Sequence, residues 1–283
     1  MTTAALVQGS VAVITGGASG IGLAAAARFC RLGLKVCIAD LGPGRLADAK
    51  STLERWAASA DDVLAIEADV SRIDQLRSLE AAVIAKFGGV DVLMNNAGIG
   101  MGSTALGPLE NWQRILEVNL WGVIHGSQVF VPGMLKRGRP GLVINTGSKQ
   151  GITTPPGNPA YNVSKAGVKA FTEALQHELR NTPGSQVQAH LLIPGFVFTG
   201  ISGTVGKEKP AGAWTPAQTI DFMLERLAAG DFYILCPDNE VNRELDERRI
   251  LWAAGDIVEN RPPLSRWHPH YADAFKSFRG PGS

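Results

Sequence analysis

Cysteine, net charge and long apolar stretches are all scarce in this chain of 283 residues, and each scarcity excludes a class of protein. The three cysteines, Cys30, Cys37 and Cys236, are odd in number and lie in predicted helices and strands, so we expect reduced core thiols of a cytoplasmic protein. With 27 basic and 26 acidic residues the net charge is +1, which gives no general electrostatic reason to bind nucleic acid or an acidic membrane. No apolar run approaches the ~18 residues of a membrane span, and the first residues lack the charged and apolar regions of a secretory signal.

Two clusters of polar residues are not expected to form functional sites. The basic run K-R-G-R at 136–139 is expected on the solvated surface, since basic residues are otherwise scattered along the chain. His268 and His270 form a lone H-x-H pair without carboxylate or cysteine partners nearby, so no metal site is predicted.

Apolar runs typical of strands alternate with helical stretches along the chain. These runs are V-A-V-I, K-V-C-I-A, V-L-A-I-E, V-D-V-L-M, G-L-V-I-N, V-Q-A-H-L-L-I and F-Y-I-L-C. Seven strands separated by helices predict an α/β fold with a doubly wound parallel sheet flanked by helices. Since 45% of the residues are hydrophobic and no repeat or linker is visible, we expect a single domain.

The first of these runs, at 11–14, leads into the glycine-rich turn T-G-G-A-S-G-I-G and then into an alanine-rich helix. In such a strand–turn–helix unit, backbone N–H groups and the positive end of the helix dipole bind a pyrophosphate, as in Rossmann-type folds. Gly16, Gly20 and Gly22 allow the tight turn and the close approach of backbone to phosphate. The spacing G-x-x-x-G-x-G is one residue longer than G-x-G-x-x-G. A generic glycine-rich loop is the alternative, which the flanking strand and helix disfavour.

The second run ends at Asp40, eighteen residues beyond Gly22. A carboxylate at that position accepts hydrogen bonds from both hydroxyls of an adenosine ribose and repels a 2′-phosphate, so NAD is favoured over NADP. Gly17 and Leu41 are not basic and offer no cation for an extra phosphate. Arg45 speaks against this preference, because its mobile side chain could reach such a phosphate. The alternative for Asp40 is a helix N-cap or turn residue before G-P-G.

Tyr161 and Lys165 stand four residues apart in Y-N-V-S-K, so on a helix both side chains lie on one face and can point into one cavity. A nearby cation favours the phenolate, and lowering the tyrosine pKa from about 10 by about three units corresponds to about 4 kcal/mol. Ser148, at the end of a predicted strand, would hydrogen-bond a substrate oxygen. The pattern predicts hydride-transfer chemistry, although Y-x-x-x-K also occurs by chance on exposed helices.

Six motifs in chain order resemble the short-chain dehydrogenase/reductase family, over residues from about 9 to 237. They are the glycine-rich turn, A-D-V at 68–70, N-N-A-G at 95–98, L-E-V-N-L-W-G with Asn119, the Ser148–Tyr161–Lys165 set, and I-P-G-F-V-F-T at 193–199. The resemblance implies that the catalytic residues are Asn119, Ser148, Tyr161 and Lys165. It implies cofactor contacts at Thr15, Gly16, Ser19, Gly20, Ile21, Gly22, Asp40, Leu41, Asp69, Val70, Asn96, Ala97, Gly98, Asn119, Tyr161, Lys165, Pro194, Gly195, Val197 and Thr199.

Two of these residues also have ordinary structural interpretations. Asparagine inside an apolar helix is usually a satisfied buried polar group, and only the resemblance gives Asn119 a part in a proton relay through Lys165. Asp69 could simply cap the helix that begins S-R-I-D-Q-L.

The substrate site is harder to derive from the sequence. In the family the segment after the P-G motif closes over the substrate, and here that lid corresponds to 200–215. Phe196, residues 99–102 and most other candidate wall positions are apolar, which favours a secondary alcohol or ketone with an apolar or aromatic body. Lys149 and Gln150, directly after the serine, would instead recognise a polar or anionic group, and both options stay open. The expected substrate contacts are Ser148, Gln150, Tyr161 and Phe196.

Beyond a dinucleotide-binding domain at 1–237, the chain departs from the family pattern, because an additional helix is predicted within 238–283. Asp238 or Asn239 is the expected N-cap. Part of an apolar face would come from Val241, Leu245, Leu251 and Ile257. The extension either packs over the active-site mouth or a neighbouring subunit, or merely covers the sheet edge, and we give these interpretations equal weight.

Together the residues and the resemblance favour an NAD(H)-dependent oxidoreductase that interconverts a secondary alcohol and a ketone, with NADP as the less favoured cofactor. A homodimer or homotetramer is expected, with the helices that hold Asn119 and Tyr161 as the safer dimer interface. A non-catalytic NAD(H)-binding regulatory or scaffold protein is the alternative from another class, and the intact catalytic set argues against it. An epimerase or dehydratase of the longer-chain families is disfavoured by the G-x-x-x-G-x-G turn and the short C-terminal portion.

Overall fold

The computed structural model describes residues 2–200 and 208–280, and its centre is one parallel sheet of seven strands. The strand order is β3-β2-β1-β4-β5-β6-β7. The strands are β1 (Val11–Thr15), β2 (Lys35–Asp40), β3 (Val63–Glu67), β4 (Val92–Asn95), β5 (Gly141–Thr146), β6 (Val187–Ile193) and β7 (Tyr233–Leu235). The predicted doubly wound α/β sheet is confirmed, and the order reverses between β1 and β4, where such sheets bind their ligands.

Helices cover both faces of this sheet. They are α1 (Gly20–Arg31), α2 (Pro43–Glu54), α3 (Ile73–Phe87), α4 (Leu109–Leu116), α5 (Gly122–Lys136), α6 (Gln150–Thr153), α7 (Pro159–Asn181), α8 (Pro216–Ala228), α9 (Arg243–Val258) and α10 (Ala272–Arg279). Side chains of α1, α2 and α8 form one core with alternate strand residues, while α3, α5 and α7 form the other core. Burial on both faces explains why β1 is apolar without alternation. None of the helices in the described ranges is long and apolar enough to cross a membrane.

A π-helical turn, Glu117–Trp121, joins α4 to α5. Such turns insert one residue into a helix and are frequent at functional sites. Asn119 lies at the middle of this turn and is fully buried.

The basic run at 136–139 lies largely at the surface, as predicted, but its two arginines also bind a buried carboxylate. Arg139 donates from Nε to the buried carboxylate of Asp91 at 2.6 Å, and Arg137 lies 3.2 Å from the same group. Asp91 also accepts the N–H of Val11 at 2.9 Å, which ties the start of β1 to this ion pair. Burial raises the pKa of Asp91, but the hydrogen bond from Arg139 and the other partners outweigh it and hold the pKa below its usual value.

The three cysteines are free and buried, as predicted. Burial raises the pKa of Cys30 to about 11 and the pKa values of Cys37 and Cys236 to about 12. Cys236 directly follows β7 rather than lying within it.

The extension beyond residue 237 does contain a helix, but its start was predicted wrongly. Asn242 is the N-cap of α9, because its Oδ1 accepts the N–H of Leu245 at 2.9 Å. Asp238 instead closes a turn before the helix, with its Oδ1 accepting the N–H groups of residues 240 and 241. Leu245 is buried, whereas Leu251 and Ile257 are 62% and 86% exposed and do not belong to the face that α9 packs on this chain. The helix α9 packs against α6 and against α10.

Candidate active site

A cleft of about 720 Å³ opens at the carboxyl ends of the strands, around the point where the strand order reverses. It is lined by most of the predicted site residues: Gly16, Ser19, Gly20, Ile21, Asp40, Leu41, Asp69, Val70, Asn96, Ala97, Gly98, Ser148, Tyr161, Lys165, Pro194, Gly195, Val197 and Thr199. Five predicted residues do not line the cleft in the described part of the chain: Thr15, Gly22, Asn119, Gln150 and Phe196.

The glycine-rich turn between β1 and α1 forms one wall of the cleft. The helix begins at Gly20, and its first N–H groups have no acceptor within the helix, so they are available to an anion. Gly16 has a φ of +64°, and a Cβ there would lie 2.8 Å from Cα of Ala97. Thr15 does not line the cleft but holds this arrangement, because its Oγ1 accepts the N–H groups of Asn96 and Ala97 at 3.0 and 3.2 Å. The residues therefore fit a dinucleotide pyrophosphate.

Asp40 ends β2 at the opposite end of the cleft from the catalytic set. Its Oδ2 accepts the N–H of Ala18 at 3.0 Å, which orients the carboxylate. The N-cap of α2 is Gly42, so the interpretation of Asp40 as a helix cap is wrong. Arg45 does reach this end, since its Nη2 lies 3.5 Å from Oδ1 of Asp40 and donates to the carbonyl of Leu41 at 2.6 Å.

Arg114 is a cleft residue that the sequence analysis missed. It lies on α4 with its Nη2 3.5 Å from Oδ2 of Asp69. Asp69 also accepts from the N–H and Oγ of Ser71, and α3 starts later with Arg72 at its N-cap, so Asp69 is not the cap of that helix. Burial raises the pKa of Asp69, but the hydrogen bonds from Ser71 and the charge of Arg114 lower it further, so the net direction is down.

Ser148, Tyr161 and Lys165 meet at the other end of the cleft, as predicted. Ser148 follows β5, and the other two lie one turn apart on α7. The Nζ of Lys165 lies 5.8 Å from the ring centroid of Tyr161 and donates to the carbonyl of Thr146 at 2.8 Å. The hydroxyl of Ser148 lies close enough to the phenol of Tyr161 to lower its pKa. The arrangement places a proton carrier, a hydrogen-bonding hydroxyl and a cation around one point.

The expected lowering of the tyrosine pKa is not found. Burial raises the pKa of Tyr161 above its usual value, and the hydrogen bond with Ser148 offsets only part of that rise. Burial also lowers the pKa of Lys165 to about 8, because Lys165 is 3% exposed and an ammonium loses its hydration there. The low dielectric that surrounds both groups opposes the charge on each of them.

Replacing Lys165 by methionine should therefore raise the thermal stability of the protein. An unfolded lysine ionises near pH 10.4, so between about pH 8 and 10.4 the unfolded state binds more protons than the folded state. Burial of the ammonium lowers the free energy of unfolding. This loss is full below pH 8 and disappears as the pH rises to about 10.4. The gain in Tm of the variant over the wild type should thus be largest below pH 8 and shrink above it.

Circular dichroism melts at several pH values measure this difference. Lys169→Met is the matched control, since Lys169 is on the same helix but forms a partly exposed ion pair with Glu173 at 2.8 Å. A Lys165→Met variant that melts below the wild type at pH 7 would contradict the interpretation.

Asn119 proves to be a satisfied buried group. Its Oδ1 accepts the N–H of Ile99 at 2.8 Å, and its Nδ2 donates to the carbonyl of Ile99 at 3.0 Å and to Oγ of Ser164 at 3.3 Å. Ser164 in turn donates to the carbonyl of Tyr161 at 2.7 Å. Asn119 thus fixes the backbone of Ile99, which lines the cleft, and connects it to the start of α7.

Of the predicted substrate contacts, Ser148 and Tyr161 line the cleft, whereas Gln150 and Phe196 do not. Gln150 begins α6 and donates its N–H to Oγ of Ser148 at 3.2 Å, and Phe196 is 41% exposed. Lys149 is not free to recognise an anionic group, because its Nζ lies 2.6 Å from Asp246 and 3.3 Å from Asp238.

The proposed lid at 200–215 falls partly outside the described residues, which omit 201–207. In the described part, Trp214 forms a parallel bridge with Val197. The apolar side chains Ile99, Met101 and Val118 also line the cleft.

Comparison with known proteins agrees with this fold. Residues 10–210 match the family described as short chain dehydrogenase. A 1-deoxy-11-beta-hydroxypentalenate dehydrogenase of Streptomyces avermitilis is 32% identical over 252 residues, which is 87% of this chain and 91% of that protein. A short-chain dehydrogenase/reductase from Burkholderia phymatum in complex with NAD matches with a TM-score of 0.81 at 33% identity, over 90% of this chain and 96% of that one. An alcohol dehydrogenase from Thermococcus sibiricus, complexed with 5-hydroxy-NADP, matches with a TM-score of 0.70 at 27% identity, over 77% of this chain and 90% of that one.

Proposed function

The chain belongs to the short-chain dehydrogenase/reductase family of nicotinamide-dependent oxidoreductases, and from that membership we propose that it interconverts a secondary alcohol and a ketone with NAD(H). The observation that carries this proposal is the meeting of Ser148, Tyr161 and Lys165 at one end of the cleft, with the glycine-rich turn and Asp40 along the rest of it. A substrate oxygen beside Tyr161 and Ser148 would stand next to the nicotinamide end of the cofactor.

Each catalytic side chain has one task. When alcohol is oxidised, Tyr161 takes the hydroxyl proton as phenolate, and when ketone is reduced it returns that proton to the oxygen. Ser148 donates a hydrogen bond to the substrate oxygen and holds it in line. The Lys165 ammonium favours the phenolate, which burial alone disfavours. A nicotinamide held by the glycine-rich turn and Asp40 would supply the hydride acceptor or donor for the substrate carbon.

The wall of the cleft supports a substrate with an apolar body. Ile99, Met101 and Val118 are apolar side chains that line the cleft. Lys149, which would have favoured an anionic substrate, is neutralised by two carboxylates. We therefore propose a neutral secondary alcohol or ketone with an apolar or aromatic body.

The proposed oligomer is a dimer through α4, the π-helical turn, α5 and α7. Leu109, Trp121 and Val163 on these elements are 63%, 50% and 48% exposed. Large apolar side chains that share an exposed face favour association of two copies. Analytical ultracentrifugation would test this assembly.

A panel of aryl, alicyclic and anionic secondary alcohols and ketones, offered with NAD(H) and separately with NADP(H), tests the proposed function. We expect turnover with NAD(H) and with the neutral substrates, followed by the absorbance of reduced cofactor at 340 nm. Turnover confined to NADP(H), or to anionic substrates, would contradict the cofactor or substrate part of the proposal.

Replacing Asp40 by serine should weaken the preference for NAD(H) over NADP(H) by at least ~10-fold in kcat/KM, because the carboxylate that repels a 2′-phosphate is removed while Arg45 remains close. The matched control is Asp48→Ser, since Asp48 is an exposed carboxylate on α2. Equal changes of preference in both variants would contradict a selecting role for Asp40.

A further inference from the structure

The helix α9 lies beside the end of the cleft that holds Ser148. Its Asp246 belongs to a buried group of charges there, with Lys149 and Asp238 as the other members. We propose that Asp246 of α9 is a positioning residue, which acts through Lys149 and Asp238 to hold the two backbone segments at the nicotinamide end of the cleft. The part of this inference that concerns turnover rests on the proposed function.

Lys149 connects α9 to the first of these segments. It directly follows Ser148, and its Nζ lies 2.6 Å from Oδ2 of Asp246 and 3.3 Å from Oδ2 of Asp238. The side chain of Lys149 is 16% exposed and those of Asp246 and Asp238 are 5% and 6% exposed. A partner lost from so buried a group cannot be replaced by water without local rearrangement.

Asp238 connects the same group of charges to the second segment. Its Oδ2 accepts the N–H of Phe196 at 3.1 Å, and the N–H of Lys149 points to the carbonyl of Pro194 at 3.4 Å. A Cβ at Gly195 would lie 2.6 Å from Oδ2 of Asp238 and 2.9 Å from Nζ of Lys149. The side chains of Lys149 and Asp238 therefore pack directly on the backbone at 194–196.

Both segments are part of the cleft. Ser148, Pro194 and Gly195 line it, and the hydroxyl of Ser148 accepts the N–H of Gln150 at 3.2 Å. Gln150 begins α6, which packs against α9. The position of the serine hydroxyl relative to the segment at 194–196 thus depends on contacts that α9 provides.

The charges around Asp246 explain why it cannot be exchanged without effect. Burial raises the pKa of Asp246 above its usual value, and the hydrogen bond and charge of Lys149, with the charge of Arg249, offset only part of that rise. Arg249 is half-buried on the same helix face, one turn further along. The carboxylate is therefore placed among Lys149, Arg249 and Asp238 rather than in water.

The test compares Asp246→Asn with Glu247→Gln, a control on the same helix whose carboxylate forms an exposed ion pair with Arg243 at 2.7 Å. We expect Asp246→Asn to lower kcat by ~10-fold or more, since small misplacements of reacting groups cost up to about 100-fold. The Kd for NADH, measured by protein fluorescence, should change less than about threefold, because the adenine end of the cleft is untouched. The control should keep wild-type kcat, KM and Kd.

Hydrogen exchange of the peptides that cover 147–151 and 194–198 gives a readout that does not need turnover. In Asp246→Asn these peptides should exchange ~10-fold faster, while a peptide over β1 should not change. If the wild type turned over no alcohol but this local effect appeared, the proposed function would fail and the positioning inference would stand. Unchanged exchange and unchanged kcat in Asp246→Asn would overturn the inference.

The triple variant Lys149→Met, Asp238→Asn and Asp246→Leu separates positioning from a merely structural contribution. It removes the three buried charges of this group together, so the Tm should return toward the wild-type value, while kcat should stay at least ~10-fold reduced. Recovery of both Tm and kcat would show that the charges serve only stability and would overturn the inference. This variant also keeps the test decisive if Asp246→Asn alone does not fold.

Discussion

Replacing Tyr161 by phenylalanine should lower kcat by about 10³-fold or more while the Kd for NADH changes by less than about threefold. The change removes one oxygen from a partly buried ring next to Ser148 and leaves the glycine-rich turn and Asp40 in place. Without the phenol, no group at this point of the cleft takes the substrate proton during oxidation or returns it during reduction. Initial rates and NADH fluorescence titrations, with the alcohol that the panel identifies, measure both quantities.

Tyr233→Phe is the matched control for this substitution. Tyr233 is half-exposed, and its hydroxyl donates to Glu173 of α7 at 2.5 Å. We expect wild-type kcat and KM for this control. If Tyr161→Phe kept more than about a tenth of the wild-type kcat, the assignment of Tyr161 as the proton carrier would be wrong.

Replacing Asp91 by asparagine should destabilise the fold by about 3 kcal/mol, which corresponds to a fall in Tm of about 6–12 °C for a chain of this size. The substitution removes the negative charge that both Arg137 and Arg139 contact and weakens the acceptor for the N–H of Val11. The arginines are 22% and 48% exposed, so partial hydration keeps the loss below that of a fully buried pair. Thermal melts and urea unfolding measure the change.

The pH dependence of this difference has a definite sign. The partners of Asp91 hold its folded pKa below the value of about 3.9 in an unfolded chain, so its contribution is present above pH 3.9 and lost as the pH falls through the folded pKa. The difference between Asp91→Asn and the wild type should shrink in that acid range. The control Asp74→Asn breaks an exposed pair with Arg72 and should cost less than about 1 kcal/mol, and an equal cost in both variants would contradict the argument.

Features that depend on neighbours in sequence were predictable here. Seven apolar runs gave seven strands, because a strand buried on both faces needs continuous apolar sequence, and the ends differ by at most two residues. The pair of Tyr161 and Lys165 on one face of α7 follows from helix geometry alone. The glycine-rich turn was likewise predictable, since a left-handed φ at Gly16 requires that residue type.

Features that depend on distant partners were not predictable. The ion pairs that Arg137 and Arg139 form with Asp91 were not predicted, because Asp91 lies more than forty residues earlier in the chain. Lys149 was a candidate for an anionic substrate until the fold brought Asp246 to it from almost a hundred residues away. The pKa of Tyr161 also depends on burial, which no local pattern reports.

The π-helical turn around Asn119 makes the length of this segment as important as its composition. The extra residue in the turn sets the orientation of the side chains that follow it along the helix. In this orientation the Asn119 amide forms hydrogen bonds with both the N–H and the carbonyl of Ile99. Loss of one codon between 117 and 121 would restore a regular helix and rotate Asn119 by about 100° relative to α5. In this gene, therefore, an in-frame deletion at the turn is a more severe lesion than most single substitutions beside it, and natural variation in that stretch should consist of exchanges without insertions or deletions.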